Sequence, residues 1–200
     1  MLLRAFSASA VRLVIATTLV ASASSLAQAQ ATRVPASAPF TLRSADVAAN
    51  ATMTLTQVFN GFGCTGQNVS PALAWTGAPA GTKSFAVTVY DPDAPTGSGW
   101  WHWMVYDIPA STTSLPSGVG EKGKPALPAG AQQGMTDFGA KRWGGPCPPP
   151  GDKPHRYIFT VFALKVAKLD VPPTATSALI GYNLNGNALG KAGFTALYGR

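Results

Sequence analysis

Glycine and proline break this chain into runs of strand length, and that segmentation limits the folds open to it. There are 21 Gly and 17 Pro among the 200 residues, interleaved with short apolar segments, which suits a loop-rich β protein rather than a helical bundle. Strands are expected near 53–56 and at 72–75, 84–91, 101–108, 156–164 and 194–198. One helix is expected over 174–189, where Ala175, Ala178, Leu179, Tyr182, Gly186 and Leu189 recur at helical spacing after Pro172-Pro173. Gly181 and Gly186 weaken it. Residues 111–140, rich in Ser, Gly and Pro, read as a long surface excursion.

The N-terminus has the features of an export leader. Arg4 and Arg12 give a basic start, 13–23 is a short apolar run, and Ala27-Gln28-Ala29 offers a small-x-small cleavage site. The apolar run is well short of the roughly 20 residues a spanning helix needs. The expected organisation is therefore a signal peptide at 1–29, a flexible lead-in at 30–45 and one domain at 46–200, exported to the periplasm or the medium, with no transmembrane segment in the mature chain. Losing Arg4 and Arg12 leaves 13 basic against 8 acidic residues, a net charge of +5, which favours anionic ligands in general. The basic residues are scattered with no run of four, so nucleic-acid binding is not expected. Cys64 and Cys147, 83 positions apart, most simply pair in an oxidising compartment. Their bridge would tie the Gly61-Phe62-Gly63 loop to the Pro-rich loop at 145–151.

Both histidines sit beside Pro-rich loops at strand ends. In 84–91, Phe85, Val87, Val89 and Asp91 share a face, so a carboxylate extends an apolar row where the strand stops. The 156–164 strand is apolar on both faces and therefore internal, and His155 precedes Tyr157 on one face. If 84–91 and 101–108 are antiparallel neighbours, and 156–164 runs in the direction of 101–108, then Asp91, His102 and His155 reach one rim. The expected walls are Trp100, Trp101, Trp103 and Tyr157, with Pro95 and the prolines at 146 and 148–150 fixing the backbone. Because proline lacks an N–H, an anion there would be held by His102, His155, Tyr157 and the amides of Gly145 and Gly151, with Arg142 and Lys153 supplying charge at the entrance. Asp91 followed by proline is equally a turn-starting residue, and each histidine alone is equally a satisfied core residue. Spacing leaves those readings open.

Asp91-Pro92-Asp93-Ala94-Pro95, Gly99 to Trp103 and Gly145 to Tyr157 resemble the signature segments of the phosphatidylethanolamine-binding protein family, in its bacterial Raf kinase inhibitor-like branch, over about residues 40–200. The resemblance implies a mainly β fold, a β-sandwich with Pro-rich loops and a short helix before the last strand. It also implies a small pocket for phosphate-like groups, including phospholipid headgroups, with Asp91, His102, His155 and Tyr157 as pocket residues, Pro95 and Trp100 as walls and Gly145 nearby. Animal relatives carry tandem histidines where Trp101-His102 stands here, and continue past the last strand into a helical segment, so a more open pocket edge is expected. The expected function is noncatalytic binding of a small anionic ligand or phospholipid headgroup, with no cofactor and no metal. A protein-interaction module, of a kinase- or protease-inhibitor kind with a protein partner at the same rim, is the alternative. A hydrolase using His102 or His155 as general base is a lesser one, since no nucleophile elbow accompanies them. Asp91, His102 and His155 make a two-histidine, one-carboxylate set but lack a metal-binding spacing.

Overall fold

The computed structural model describes residues 38–121 and 123–200. The expected leader at 1–29 and the first part of the lead-in, 30–37, lie outside the described residues. The end of the expected lead-in is ordered instead: it forms strand β1, Thr41–Ser44. The remaining strands are β2 (Asn60–Gly61), β3 (Cys64–Thr65), β4 (Leu73–Thr76), β5 (Ser84–Asp91), β6 (Trp100–Pro109), β7 (Ser114–Leu115), β8 (Gln132–Gln133), β9 (His155–Leu164) and β10 (Ala188–Tyr198), with one helix, α1 (Ser177–Asn187), before β10.

A five-stranded antiparallel sheet in the order β10-β9-β5-β6-β8 packs against a three-stranded sheet, β1-β4-β7, and β2 and β3 form a separate hairpin. The fold is a mainly β sandwich. Period-2 alternation explains its layers. Phe85, Val87 and Val89 of β5 and Tyr157, Phe159 and Val161 of β9 point into the space between the sheets, where they meet Leu42, Leu73, Trp75 and Leu115. Ala86, Met104, Tyr106, Phe162 and Leu164 point to the opposite face and are covered by Ile180 and Leu184 of α1. β9, paired to β5 on one side and β10 on the other, is internal, as its two apolar faces require.

Two local expectations change. Residues 53–56 do not form a strand: a turn spans 54–57, the Thr54 amide and hydroxyl both donate to Gln57 Oε1, at 3.3 and 3.0 Å, and pairing beside it is limited to a bridge between Thr52 and Leu197. The helix is shorter than 174–189 because Thr176 caps it, its hydroxyl accepting from the Leu179 amide, and because the chain leaves it extended into β10. Its buried stripe is Ser177, Ile180, Gly181 and Leu184, while Leu179 and Tyr182, two of the residues that recur at helical spacing, are exposed. Packing chose the side that fits the sheet. No helix among the described residues is long and apolar enough to cross a membrane.

Candidate functional site

β5 is antiparallel to both β6 and β9, so its last residue, Asp91, lies beside the first residues of both neighbours. Asp91 pairs with Trp100, and Tyr90 sits between Trp101 on one side and Ile158 on the other. Alternation then puts Asp91, His155 and Tyr157 on the core face of the sheet at its open end. A cavity of about 190 Å³ occupies this rim, lined by Asp91, Pro95, Trp100, His102, His155 and Tyr157 together with Phe62, Ala94, Thr96, Phe138, Cys147, Pro148 and Pro149.

His102 reaches this face through a defect in the strand. Val89 pairs with Trp103 but Tyr90 pairs with Trp101, leaving His102 as an extra residue in a β-bulge. Strict alternation from Trp103 would send His102 to the helix face. The bulge turns it back beside Tyr157, their rings 5.0 Å apart edge to face, and sends Trp101 to the helix face, where it packs against Tyr90. Trp101 is therefore not a wall of the cavity. Neither is Trp103, which is fully buried between the sheets and donates its indole N–H to Gln133 Oε1 at 2.7 Å.

The polar groups differ in how far their hydrogen bonds are met. Asp91 is buried, and its Oδ1 accepts from the amides of Asp93 and Ala94 at 2.8 and 3.1 Å while its Oδ2 meets His155 Nδ1 at 2.8 Å. It both starts the turn and partners the imidazole. His155 Nε2 lies 3.4 Å from Asp152 Oδ2. His102 Nδ1 donates to the Gly144 carbonyl at 2.6 Å, and burial is the main cause that lowers its value from 6.5 to about 4, against the raising pull of that carbonyl and Asp91. His102 is neutral near pH 7. Tyr157 is fully buried, its hydroxyl has no hydrogen-bond partner among the described residues, and burial followed by the nearby Asp91 holds the phenol far above its ordinary value. It keeps its proton.

Gly145 does not line the cavity. Its amide donates to Asn68 Oδ1 at 2.8 Å, and a Cβ there would collide with the Gln57 carbonyl oxygen, so it is glycine because two backbones meet. The Gly151 amide is likewise engaged, by the Arg200 carbonyl. Arg142 and Lys153 do not line the cavity either; Lys153 borders a separate, more open cavity with Asp93, Asp152 and Arg156. There Arg156 grips both oxygens of Asp93 at 2.7 and 2.9 Å and lowers its carboxyl to about 2. Among the described residues no cluster of His, Cys, Asp and Glu is arranged to hold a metal.

The aromatic lip was not foreseen. Phe62 and Phe138 form an edge with Phe59, and Phe62 stands 69% exposed on the β2–β3 hairpin. The Cys64–Cys147 disulfide joins that hairpin to the Pro-rich loop. Arg200 reinforces the joint, its guanidinium donating to the carbonyls of Phe62, Gly63 and Pro148. The only trace of this lip in the sequence is an aromatic residue flanked by two glycines.

Residues 43–199 match the family model for phosphatidylethanolamine-binding protein. The chain belongs to that family. It is 53% identical over 161 residues to the UPF0098 protein YbcL of Escherichia coli K12, covering 80% of this chain and 88% of the relative. A crystal structure of E. coli YbcL, described as a new member of the mammalian PEBP family, superposes with a TM-score of 0.78 and covers 82% of this chain and 99% of that one. The putative lipoprotein LppC of Mycobacterium tuberculosis H37Rv is 35% identical over 161 residues, covering 80% of this chain and 73% of the relative.

Proposed function

We propose that this protein is an exported, noncatalytic binding protein that holds a small anionic ligand, a phosphate group free or carried on a phospholipid headgroup, in the cavity at the β5–β6–β9 rim. The observation that carries this reading is the Tyr157 hydroxyl, buried without a protein partner beside the Asp91–His155 pair. A buried orphan hydroxyl costs stability unless something else engages it, and a ligand oxygen is the group that fits. Pro95, Pro148 and Pro149 hold the walls before a ligand arrives, which limits the ordering cost of binding. The export leader read from the N-terminus, the disulfide and the lipoprotein name of one relative support an extracytoplasmic location.

A binding role is favoured over general base catalysis because His102, at about 4, is a weak base and the Thr96 hydroxyl in the wall already donates to the Gly99 carbonyl. Titration calorimetry with inorganic phosphate and phosphoethanolamine is expected to show saturable binding that His155→Ala and Asp91→Asn abolish while far-UV circular dichroism stays unchanged. Parental affinity in both variants would remove the cavity from consideration. No turnover is expected across a panel of phosphoesters and carboxylic esters, and turnover abolished by His102→Gln would replace binding with catalysis.

A further inference from the structure

The Cys64–Cys147 disulfide stands at the cavity mouth, and its two sulfurs differ in access. Cys147 is half-buried and lines the cavity beside Phe62, Pro148 and Pro149. Cys64 is 7% exposed and is not among the lining residues. A thiol entering from the mouth therefore meets Cys147 first. Exchange depends on which sulfur can be reached, so the fold sets the direction of attack.

What the bond holds is a weakly anchored element. β2 and β3 pair with one another and join neither sheet of the sandwich. The turn between them is Phe62-Gly63, at φ 51° and 80°, the left-handed pair that a tight two-residue hairpin requires. Glycine takes that conformation freely, but a bulky aromatic residue resists it. Phe62 recovers little by burial, being mostly exposed. Two polar ties reach the Pro-rich loop besides the disulfide. The Phe59 amide, just before the hairpin, donates to the Pro146 carbonyl at 3.1 Å. The Arg200 guanidinium spans the carbonyls of Phe62, Gly63 and Pro148, but Arg200 is exposed, so water competes for its bonds. Little burial and exposed hydrogen bonds mark a segment that opens locally once released.

We propose that Cys64–Cys147 is a redox latch on the aromatic lip: a dithiol, of the kind a thiol–disulfide exchange protein carries, opens it at Cys147 and frees the Phe62 hairpin from the cavity mouth. The first thiolate of the dithiol bonds to Cys147 Sγ, and the electron pair of the Cys64–Cys147 bond leaves on Cys64 Sγ. The second thiolate then attacks the dithiol's own sulfur in that mixed disulfide and expels Cys147. The dithiol departs as a disulfide, and its two protons end on the two cysteines by way of solvent. Two electrons have passed, and reoxidation closes the lip. The latch operates whatever group the cavity holds.

Dithiothreitol should reduce the folded, oxidised protein at a rate within about a hundredfold of that for the urea-unfolded chain, because the sulfur is already reachable. A slower rate would mean that the bond is reached only through unfolding, and the latch would be refuted. A short pulse of glutathione, quenched with N-ethylmaleimide and read by peptide mass mapping, should place glutathione on Cys147 at least about tenfold more often than on Cys64. Equal labelling, or an excess on Cys64, overturns the direction of attack. Hydrogen exchange read by mass spectrometry should show residues 59–66 exchanging at least about tenfold faster in the reduced protein, with β5 and β9 unchanged. Cys64→Ser with Cys147→Ser should exchange like the reduced protein. Protection of 59–66 that survives reduction would make the disulfide a brace and not a latch. Faster exchange throughout β5 and β9 would sink the proposal as well, since the whole domain would then loosen instead of the lip.

Discussion

Strand β6 departs from regular pairing with β5 at both ends, and the two bulges have opposite fates. Near its start the extra residue is His102; near its finish one residue of the Tyr106-Asp107 pair is extra, with Phe85 paired to Ile108 and Val87 to Val105, and Asp107 adopts φ 58°. Each bulge brings a polar side chain into a buried setting. At Asp107 the hydrogen bonds are completed inside the protein: Oδ1 accepts from the Leu169 amide at 2.8 Å and Oδ2 from Gln132 Nε2 at 3.3 Å. At His102 only Nδ1 is matched, and the neighbouring Tyr157 hydroxyl has nothing. The same backbone device makes a structural tie at one end and the wall of the proposed binding cavity at the other. The difference lies in the hydrogen-bonding capacity left over.

The sharpest way to break the contrast is to cut what closes the pocket end. Replacing both cysteines, Cys64→Ser with Cys147→Ser, releases a loop spanning 83 residues, and chain entropy assigns such a loop about 4.5 kcal/mol. Urea denaturation should show a loss of that order, and phosphate binding should weaken as the Phe62 hairpin leaves the Pro-rich loop. A loss under about 1 kcal/mol would mean that Arg200 and packing suffice to hold the joint.

Next in size is a pH effect of opposite sign at the two bulges. His102 falls from 6.5 to about 4 on folding, so between those values the unfolded chain binds more protons than the folded one. Stability should decline as pH drops from 6.5 toward 4 and level off below, by about 3 kcal/mol in total. The Asp107 carboxyl is raised by burial, so its contribution is full below its ordinary value of 3.8 and is lost as pH rises through the folded value. Unfolding free energies measured at pH 7, 5.5 and 4 for the parent and His102→Gln isolate the first effect. Parallel curves would contradict it.

The smallest effects sharpen the comparison most directly. Asp107→Ala strands two donors, one of them the buried Leu169 amide, and should cost about 2 kcal/mol while leaving phosphate affinity unchanged. Tyr157→Phe removes a hydroxyl with no partner, so stability should change by less than about 0.5 kcal/mol or rise slightly, while phosphate binding weakens roughly tenfold. If Tyr157→Phe destabilises as much as Asp107→Ala, the hydroxyl is a structural group and the contrast between the bulges disappears.

Much of this was legible in the chain itself. Alternating apolar residues located β5 to the residue and β6 and β9 to within one, and an acid ending one apolar row with a histidine opening another marked the rim. The helix was found, but not which of its sides is buried, because spacing alone cannot distinguish Leu179 and Tyr182 from Ile180 and Leu184 until a sheet is present to choose. Gly145 was read as an amide for a ligand because the prolines around it have no N–H to offer. Its amide is taken by Asn68 instead, and the residue is glycine because the backbone at Gln57 comes close. Trp101 and His102 exchange sides through a bulge, and a bulge leaves no mark in a period-2 pattern.

The order of residues alone marked the strand ends that carry Asp91, His102 and His155, because side-chain alternation is a local consequence of the backbone, and it offered Cys64 and Cys147 as a pair; which strands become neighbours was left to the fold. Tertiary structure alone decided which hydrogen bonds remain unmade. Whether Nε2 of His102 and the Tyr157 hydroxyl are free depends on where Gly144, Asn68 and Gln57 come to rest, and those positions are set by contacts between residues far apart in the chain.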